Sequence, residues 1–247
     1  MGNPAGNFGD FMASSVELDS RIKTAEGVID AALSGQPAGR RIYIAWDEWN
    51  VWYRARGGGK QQGRRILEER YNLEDALVVA TFLNTFVNHS HTVKIANMAQ
   101  LVNVIAPMFS SEKGLFLQTI YYPLQLFANN SKGKSLELFV ESPKYASKRF
   151  GDVPYLDTSA AYDHGTLVLN VVNRHPDRAI EADFEAQDKK FSGAPEVWEV
   201  NGPDIKAEND FGSTKVRAVQ RSAAAQGNRL AYSFPAHSYT MLKVRLV

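Results

Sequence analysis

Apolar residues recur with a helical period over 14–33, where Val16, Leu18, Ile22, Ala25, Val28, Ile29 and Ala32 follow one stripe. Ser14 or Ser15 is placed to cap the start of that helix, and Gly35 with Pro37 to end it. The pattern changes at 41–50 to a compact apolar run that closes on polar and aromatic residues. It predicts a buried strand whose C-terminal end is loaded with chemistry. A second helix is predicted over 72–88, with Leu73, Ala76, Leu77, Ala80, Leu83 and Val87 on one stripe and Glu74 and Asp75 favourably placed in the first turn. Another short strand follows at 92–96, then an apolar segment at 101–108. Helix, strand, helix, strand with short apolar strands predicts a parallel α/β arrangement.

Beyond residue 115 the pattern becomes one of short strands. Residues 136–140, 166–172, 179–184, 196–200, 229–234 and 239–246 read as strands. Turn signals separate them, among them Asp163-His164-Gly165, Asn201-Gly202-Pro203 and Gln226-Gly227-Asn228. Such spacing predicts a β-sandwich. The chain therefore divides into an α/β part, 1–115, and an all-β part, 116–247.

Composition narrows the function classes. The 247 residues are 44% hydrophobic and 22% charged, which fits a folded globular chain. With 28 basic and 27 acidic side chains the net charge is +1, so there is no electrostatic case for a nucleic-acid or membrane-surface partner. The absence of cysteine excludes disulfides, thiolate zinc sites and cysteine nucleophiles. The five histidines form no His-Glu-x-x-His pattern, so no metal site and no cofactor are expected. No Gly-x-Ser-x-Gly elbow supports serine hydrolase chemistry. The basic, Gly-rich stretch 54–65 fails as a phosphate loop because Gln61 follows Lys60, and it reads as a strand-to-helix loop bordering a pocket. There is neither a signal peptide pattern nor an apolar run of membrane-spanning length, so a cytoplasmic location is expected.

Candidate chemistry concentrates in Ile42-Tyr43-Ile44-Ala45-Trp46-Asp47-Glu48-Trp49-Asn50-Val51-Trp52-Tyr53. Strand alternation puts Ile42, Ile44, Trp46 and Glu48 on one face, with Tyr43, Ala45 and Asp47 on the other. In a parallel α/β barrel the C-terminal strand ends face the active site. A carboxylate there, among Trp46, Trp49, Trp52 and Tyr53, has the ingredients of a sugar site: aromatic faces to pack on sugar rings and a group to act at the anomeric centre. The pattern leaves open whether Glu48 is a nucleophile, a general acid or a plain surface carboxylate.

The heptapeptide Asp47-Glu48-Trp49-Asn50-Val51-Trp52-Tyr53 resembles the nucleophile motif of family 51 glycoside hydrolases, the α-L-arabinofuranosidases. The resemblance extends over most of the chain. Tyr71-Asn72-Leu73-Glu74-Asp75-Ala76-Leu77 is similar to the start of a barrel helix of that family. The run from Val93 through Ala96-Asn97-Met98-Ala99-Gln100 to Pro107 resembles its last barrel strand and following loop. Gln118-Thr119-Ile120-Tyr121-Tyr122-Pro123, Ser142-Pro143-Lys144-Tyr145, Asp152-Val153-Pro154-Tyr155-Leu156-Asp157 and Pro235-Ala236-His237-Ser238-Tyr239-Thr240 continue the match in order.

The resemblance implies the C-terminal part of a (β/α)8 TIM barrel followed by a jelly-roll-like β-sandwich. It implies Glu48 as the nucleophile of a retaining exo-acting α-L-arabinofuranosidase, Gln100 as a sugar-binding residue and Trp52 as an aromatic near the aglycone side. The substrates implied are arabinose-containing oligosaccharides of arabinan or arabinoxylan, and the implied assembly is a homo-oligomer. A whole barrel takes ~250 residues, so one of this length cannot share the chain with a sandwich. Retaining glycosidases need two carboxylates, and the acid/base Glu of this family follows an Asn. No Asn-Glu dipeptide occurs in this sequence. The expectation is half of an active site, completed by an N-terminal barrel chain or segment. Two alternatives stay open: a non-catalytic carbohydrate-binding or assembly subunit, and a related β-xylosidase or endoglucanase specificity.

Overall fold

The computed structural model describes residues 2–3, 5–36, 39–53 and 67–247. The Gly-rich stretch 54–65 and Pro37, the expected helix stop, lie outside them.

Helix α1 (Phe8–Met12) begins at Asn7, whose side chain accepts from the Asp10 amide. It runs almost directly into α2 (Ser14–Leu33) through Ala13. The expected serine cap of α2 is not made. Ala13 occupies the cap position with its amide already bonded back to Gly9, and Ser15 turns inward to accept from Arg174. The predicted stripe of α2 is covered only in part: Leu18 and Ile22 are buried, but Val28 is 65% exposed.

Strand β1 (Ile44–Trp49), helix α3 (Leu73–Asn88) and strand β2 (Val93–Met98) form a β-α-β unit. The two strands pair in parallel, as the alternation of elements predicts. Helix α3 starts with a capping box in which Asn72 and Asp75 each bond the other's backbone amide. From Leu73 to Thr81 every residue is buried, so α3 is a helix enclosed on all sides rather than a one-stripe helix.

The hairpin β3 (Met108–Ser111) and β4 (Gly114–Leu117) then leads into α4 (Tyr121–Asn130). That helix lies in a region where the pattern predicts strands. Its Tyr121 and Tyr122 are half-buried in a T-shaped pair at 5.7 Å. The remaining elements are β5 (Lys134–Leu136), β6 (Lys144–Ser147), β7 (Gly151–Pro154), β8 (Leu156–Asp163), β9 (Thr166–Asn173), β10 (Ile180–Glu185), β11 (Phe191–Asn201), β12 (Arg217–Ser222), β13 (Ala225–Gln226), β14 (Arg229–Phe234) and β15 (Ser238–Leu246). Six of them make an antiparallel sheet in the order β12-β11-β15-β9-β8-β5, and three make a second sheet, β10-β14-β13.

The large sheet is buried on both faces, and its alternation shows it. On β9, Leu167, Leu169 and Val171 join the core shared with β10 and β14, while Val168 and Val172 join the core shared with the helices. On β15, Leu242, Val244 and Leu246 point to the first core, and Tyr239 and Met241 to the second. The predicted strand 136–140 is paired only through Leu136; past it the chain runs unpaired, with Phe139 91% exposed. Strand β8 escapes sequence reading because its inward positions include Ser159, Ala160 and Ala161, small residues that give no hydrophobic alternation.

Candidate active site

The register of β1 on β2 runs Ile44 to Val93, Ala45 to Ile95, Trp46 to Ala96, and then slips before Trp49 meets Met98. That irregularity decides where the chemistry points. Strict alternation would send Trp46 and Glu48 to one face. Instead Asp47 and Glu48 are both exposed, and Trp49 is the residue that turns in. Trp49 packs 5.2 Å from the Phe86 ring and 6.3 Å from Phe82, and Trp46 lies 6.1 Å from Phe86. Both tryptophans therefore fix β1 to α3. They are core, not sugar platforms, which corrects the reading of four aromatics around one carboxylate.

Tyr53 is also committed elsewhere: its hydroxyl donates to Asp75 at 2.5 Å, and its amide to Glu69. Of the four aromatics, Trp52 keeps the most open surface, at 36% exposed.

Gln100 leaves the end of β2 as an exposed side chain. Its neighbour Ala99 donates to the Trp49 carbonyl at 3.1 Å, so Glu48 and Gln100 stand one residue to either side of a shared backbone bond. They occupy the same C-terminal rim of the parallel pair. The peptide joining Ala99 to Gln100 is cis.

The rim is held by side chains that the sequence reading did not single out. Asn50 donates to the carbonyls of Ala99, at 3.0 Å, and Ile105, at 2.6 Å, and its own oxygen accepts from Val51. It thereby ties the exit of β1 to both ends of the loop that carries Gln100. Within that loop Asn103 and Ile105 have positive φ, 64° and 50°. Asn103 is paid for locally by bonds to both backbone groups of Ser110. Buried Gln118 accepts from Tyr71 and donates to the carbonyls of Glu69 and Ala106, joining the entry of α3 to the base of the β3–β4 hairpin. Tyr71 in turn donates to the Val51 carbonyl at 2.7 Å. The arrangement places one exposed carboxylate and one exposed amide side by side on a hydrogen-bonded backbone frame.

The family model for the α-L-arabinofuranosidase C-terminal domain matches residues 47–238. The chain belongs to that family. The resemblance to family 51 read from the sequence is borne out along most of the chain. An intracellular exo-α-(1→5)-L-arabinofuranosidase of Bacillus subtilis is 33% identical over 253 residues, covering 99% of this chain and 50% of the relative. Alpha-L-arabinofuranosidase C of Emericella nidulans is 36% identical over 215 residues, covering 84% of this chain and 40% of its own.

Among solved structures, a family 51 α-L-arabinofuranosidase from Bifidobacterium longum superposes with a TM-score of 0.86 at 26% identity, over 96% of this chain and 49% of that one. The Thermotoga maritima enzyme, solved as an arabinose complex, gives 0.83 at 25% identity, over 97% of this chain and 50% of its own. The chain spans about half the length of the curated relatives it matches. No helix among the described residues is long and apolar enough to cross a membrane.

Proposed function

We propose that this chain is the carboxy-terminal half of a retaining, exo-acting α-L-arabinofuranosidase that releases terminal arabinofuranosyl residues from arabinan or arabinoxylan oligosaccharides. Residues 1–115 are read as the last strands and helices of the catalytic barrel, and 116–247 as a jelly-roll-like sandwich packed against it. The observation that carries the reading is Glu48, exposed at the C-terminal end of a parallel strand and one bonded backbone step from Gln100.

In this reading the Glu48 carboxylate attacks the anomeric carbon with inversion while the glycosidic bond breaks and the second carboxyl protonates the departing oxygen, giving a glycosyl-enzyme and the free aglycone. Water then attacks with a second inversion, so configuration is retained. Gln100 hydrogen-bonds the sugar, and Trp52 offers an aromatic surface to the leaving-group side. The second carboxylate, ~5–5.5 Å from the first in retaining enzymes, comes from the amino-terminal barrel strands that relatives of twice this length carry.

Burial supports that partnership. A parallel sheet is ordinarily covered on both faces, yet Ile95 on β2, and Ile42 and Tyr43 leading into β1, are about half exposed. Those positions are the surface that further barrel strands would cover. The Bacillus relative, named as intracellular, supports a cytoplasmic site of action.

The test is hydrolysis of an aryl α-L-arabinofuranoside by the purified native protein, whose polypeptides are first weighed by intact mass under denaturing conditions. Activity should accompany a polypeptide that carries the remaining strands. Glu48→Gln should lower kcat by at least ~10³-fold with the fold intact. A Glu48→Gln enzyme with parental turnover removes Glu48 from the nucleophile role.

A further inference from the structure

At the end of β2 opposite the rim, three elements bring together side chains that are far apart in sequence. Glu26 lies on α2, His89 caps the end of α3, and His91 sits in the turn before β2. Their ligand atoms fall within 4.8 Å of one another. We propose that Glu26, His89 and His91 form a zinc site that clips α2 to the α3–β2 turn.

His89 carries the argument. Its Nε2 lies 2.7 Å from Asp19 Oδ1. The same carboxylate pairs with Lys23 at 2.8 Å through its other oxygen. Asp19 is thus placed to accept from Nε2 of the ring. With Nε2 spent on Asp19, Nδ1 is the ring nitrogen left to act as a ligand atom. The His89 side chain is only 9% exposed, and Nδ1 is buried without a hydrogen-bond partner among the described residues.

A buried ring nitrogen with no partner bears a desolvation cost that nothing among the described residues offsets. A carboxylate holding one imidazole nitrogen while the other faces a metal is the common outer-shell arrangement of histidine ligands.

The other two groups fit the same ion. His91 Nε2 and Glu26 Oε1 are 2.7 Å apart, close enough for a divalent cation to bind between them in place of the hydrogen bond. The two imidazole rings are 5.8 Å apart with 39° between their planes. Two nitrogens and one carboxylate oxygen suit zinc, whereas calcium and magnesium prefer all-oxygen sets. Three protein ligands leave a fourth position for water, reached past the exposed His91 ring. The site lies beyond the N-terminal end of β2 and Gln100 beyond its C-terminal end, so the metal ties elements together and does no chemistry on the sugar.

The test is binding, so it stands apart from the arabinofuranosidase reading. The full protein is stripped with chelator and titrated with Zn²⁺ by calorimetry and with Co²⁺ by visible absorption. The expected result is about one equivalent bound per chain, Co²⁺ bands of a four- or five-coordinate ion, and a raised Tm with zinc. His91→Ala and Glu26→Gln, both at accessible positions with the fold checked by circular dichroism, should each weaken binding at least ~10-fold and abolish the Tm shift. Absence of saturable binding overturns the proposal. So does binding that persists unchanged in both variants, which would locate the ion elsewhere.

Discussion

Asn50 commits its whole side chain to backbone: two donors to the carbonyls of Ala99 and Ile105, and its oxygen to the Val51 amide. A strand-end asparagine in this arrangement sets the spacing between two strand exits. Its loss should be felt at the loop carrying Gln100 before it is felt at Glu48. Asn50→Ala should cost ~1–3 kcal/mol through the bonds lost at the Ala99 and Ile105 carbonyls, of which Ile105 keeps the Gln100 amide as donor. In the complete enzyme it should raise KM more than it lowers kcat, the reverse of Glu48→Gln. Asn50→Asp, of the same shape, should be the worse variant, because it aims a carboxylate oxygen at two carbonyl oxygens. Urea unfolding and steady-state kinetics on both variants decide the order; an aspartate variant as stable as the parent would remove the clamp.

The same contrast marks what sequence reasoning could reach at this scale. The motif resemblance singles out Glu48, Gln100 and Trp52, and all three are exposed. The inward turn of Trp49 is hidden from an alternation rule, because the register slips between residues 46 and 49. Asn50 stood inside the motif with no sign of its role, since both carbonyls it binds lie about fifty positions away.

Among the elements, α3 decides how the rim is built. It packs against β1 through Phe82 and Phe86, and its buried capping box sets its first turn. Asp75 in that box accepts from the Asn72 amide and from the Tyr53 hydroxyl, so the cap and the segment after β1 share one carboxylate. Asn72→Ala should destabilise by ~1–2 kcal/mol with little change at the site. Asp75→Ala should cost more and should also release Tyr53, beside Trp52. Near-ultraviolet circular dichroism of the two variants separates them: a tyrosine and tryptophan signal changed equally in both would contradict the shared-carboxylate account.

The elements themselves were legible to the extent that burial was one-sided or periodic. Helices α2 and α3 and the strands β9, β14 and β15 fall within a residue or so of the pattern. Helix α4 and strand β8 were missed for one reason: each derives its form from tertiary packing, α4 against α3 and β15, β8 through small side chains under α3. The cluster of Glu26, His89 and His91 was missed because motif spacing searches along the chain, and this one closes across 65 positions.

For the whole molecule, the question is what keeps the helical layer seated on the large sheet. Apolar contact supplies most of it, through α3 and α4 on Val168, Val172, Tyr239 and Met241. One buried cation adds a fixed point. Arg174, at the end of β9, donates to the carbonyls of Met12 and Pro154, to Ser15 at the start of α2, and to Asp157 on β8 at 2.6 Å. Asn84 of α3 donates to the same Asp157 carboxylate. Burial pushes the Asp157 carboxyl above its ordinary range, while Arg174 and Asn84 pull it back.

The ionised Asp157 is thus tolerated because Arg174 is there. Arg174→Met should destabilise by ~3–5 kcal/mol, since it strands a buried carboxylate. The sign of the pH dependence follows. Raising a folded-state pKa means the folded chain holds the proton more tightly than the unfolded one, so stability falls as pH rises through that range. The variant raises it further than the parent. The stability gap should therefore widen toward neutral pH and narrow as pH falls toward the unfolded carboxyl range. Replacing both partners, Arg174→Met with Asp157→Leu, should recover part of the loss at neutral pH and remove its pH dependence. Urea unfolding of the three proteins across pH reads this directly. A gap independent of pH in the single variant would mean that Arg174 acts through Met12, Pro154 and Ser15 rather than through the buried charge.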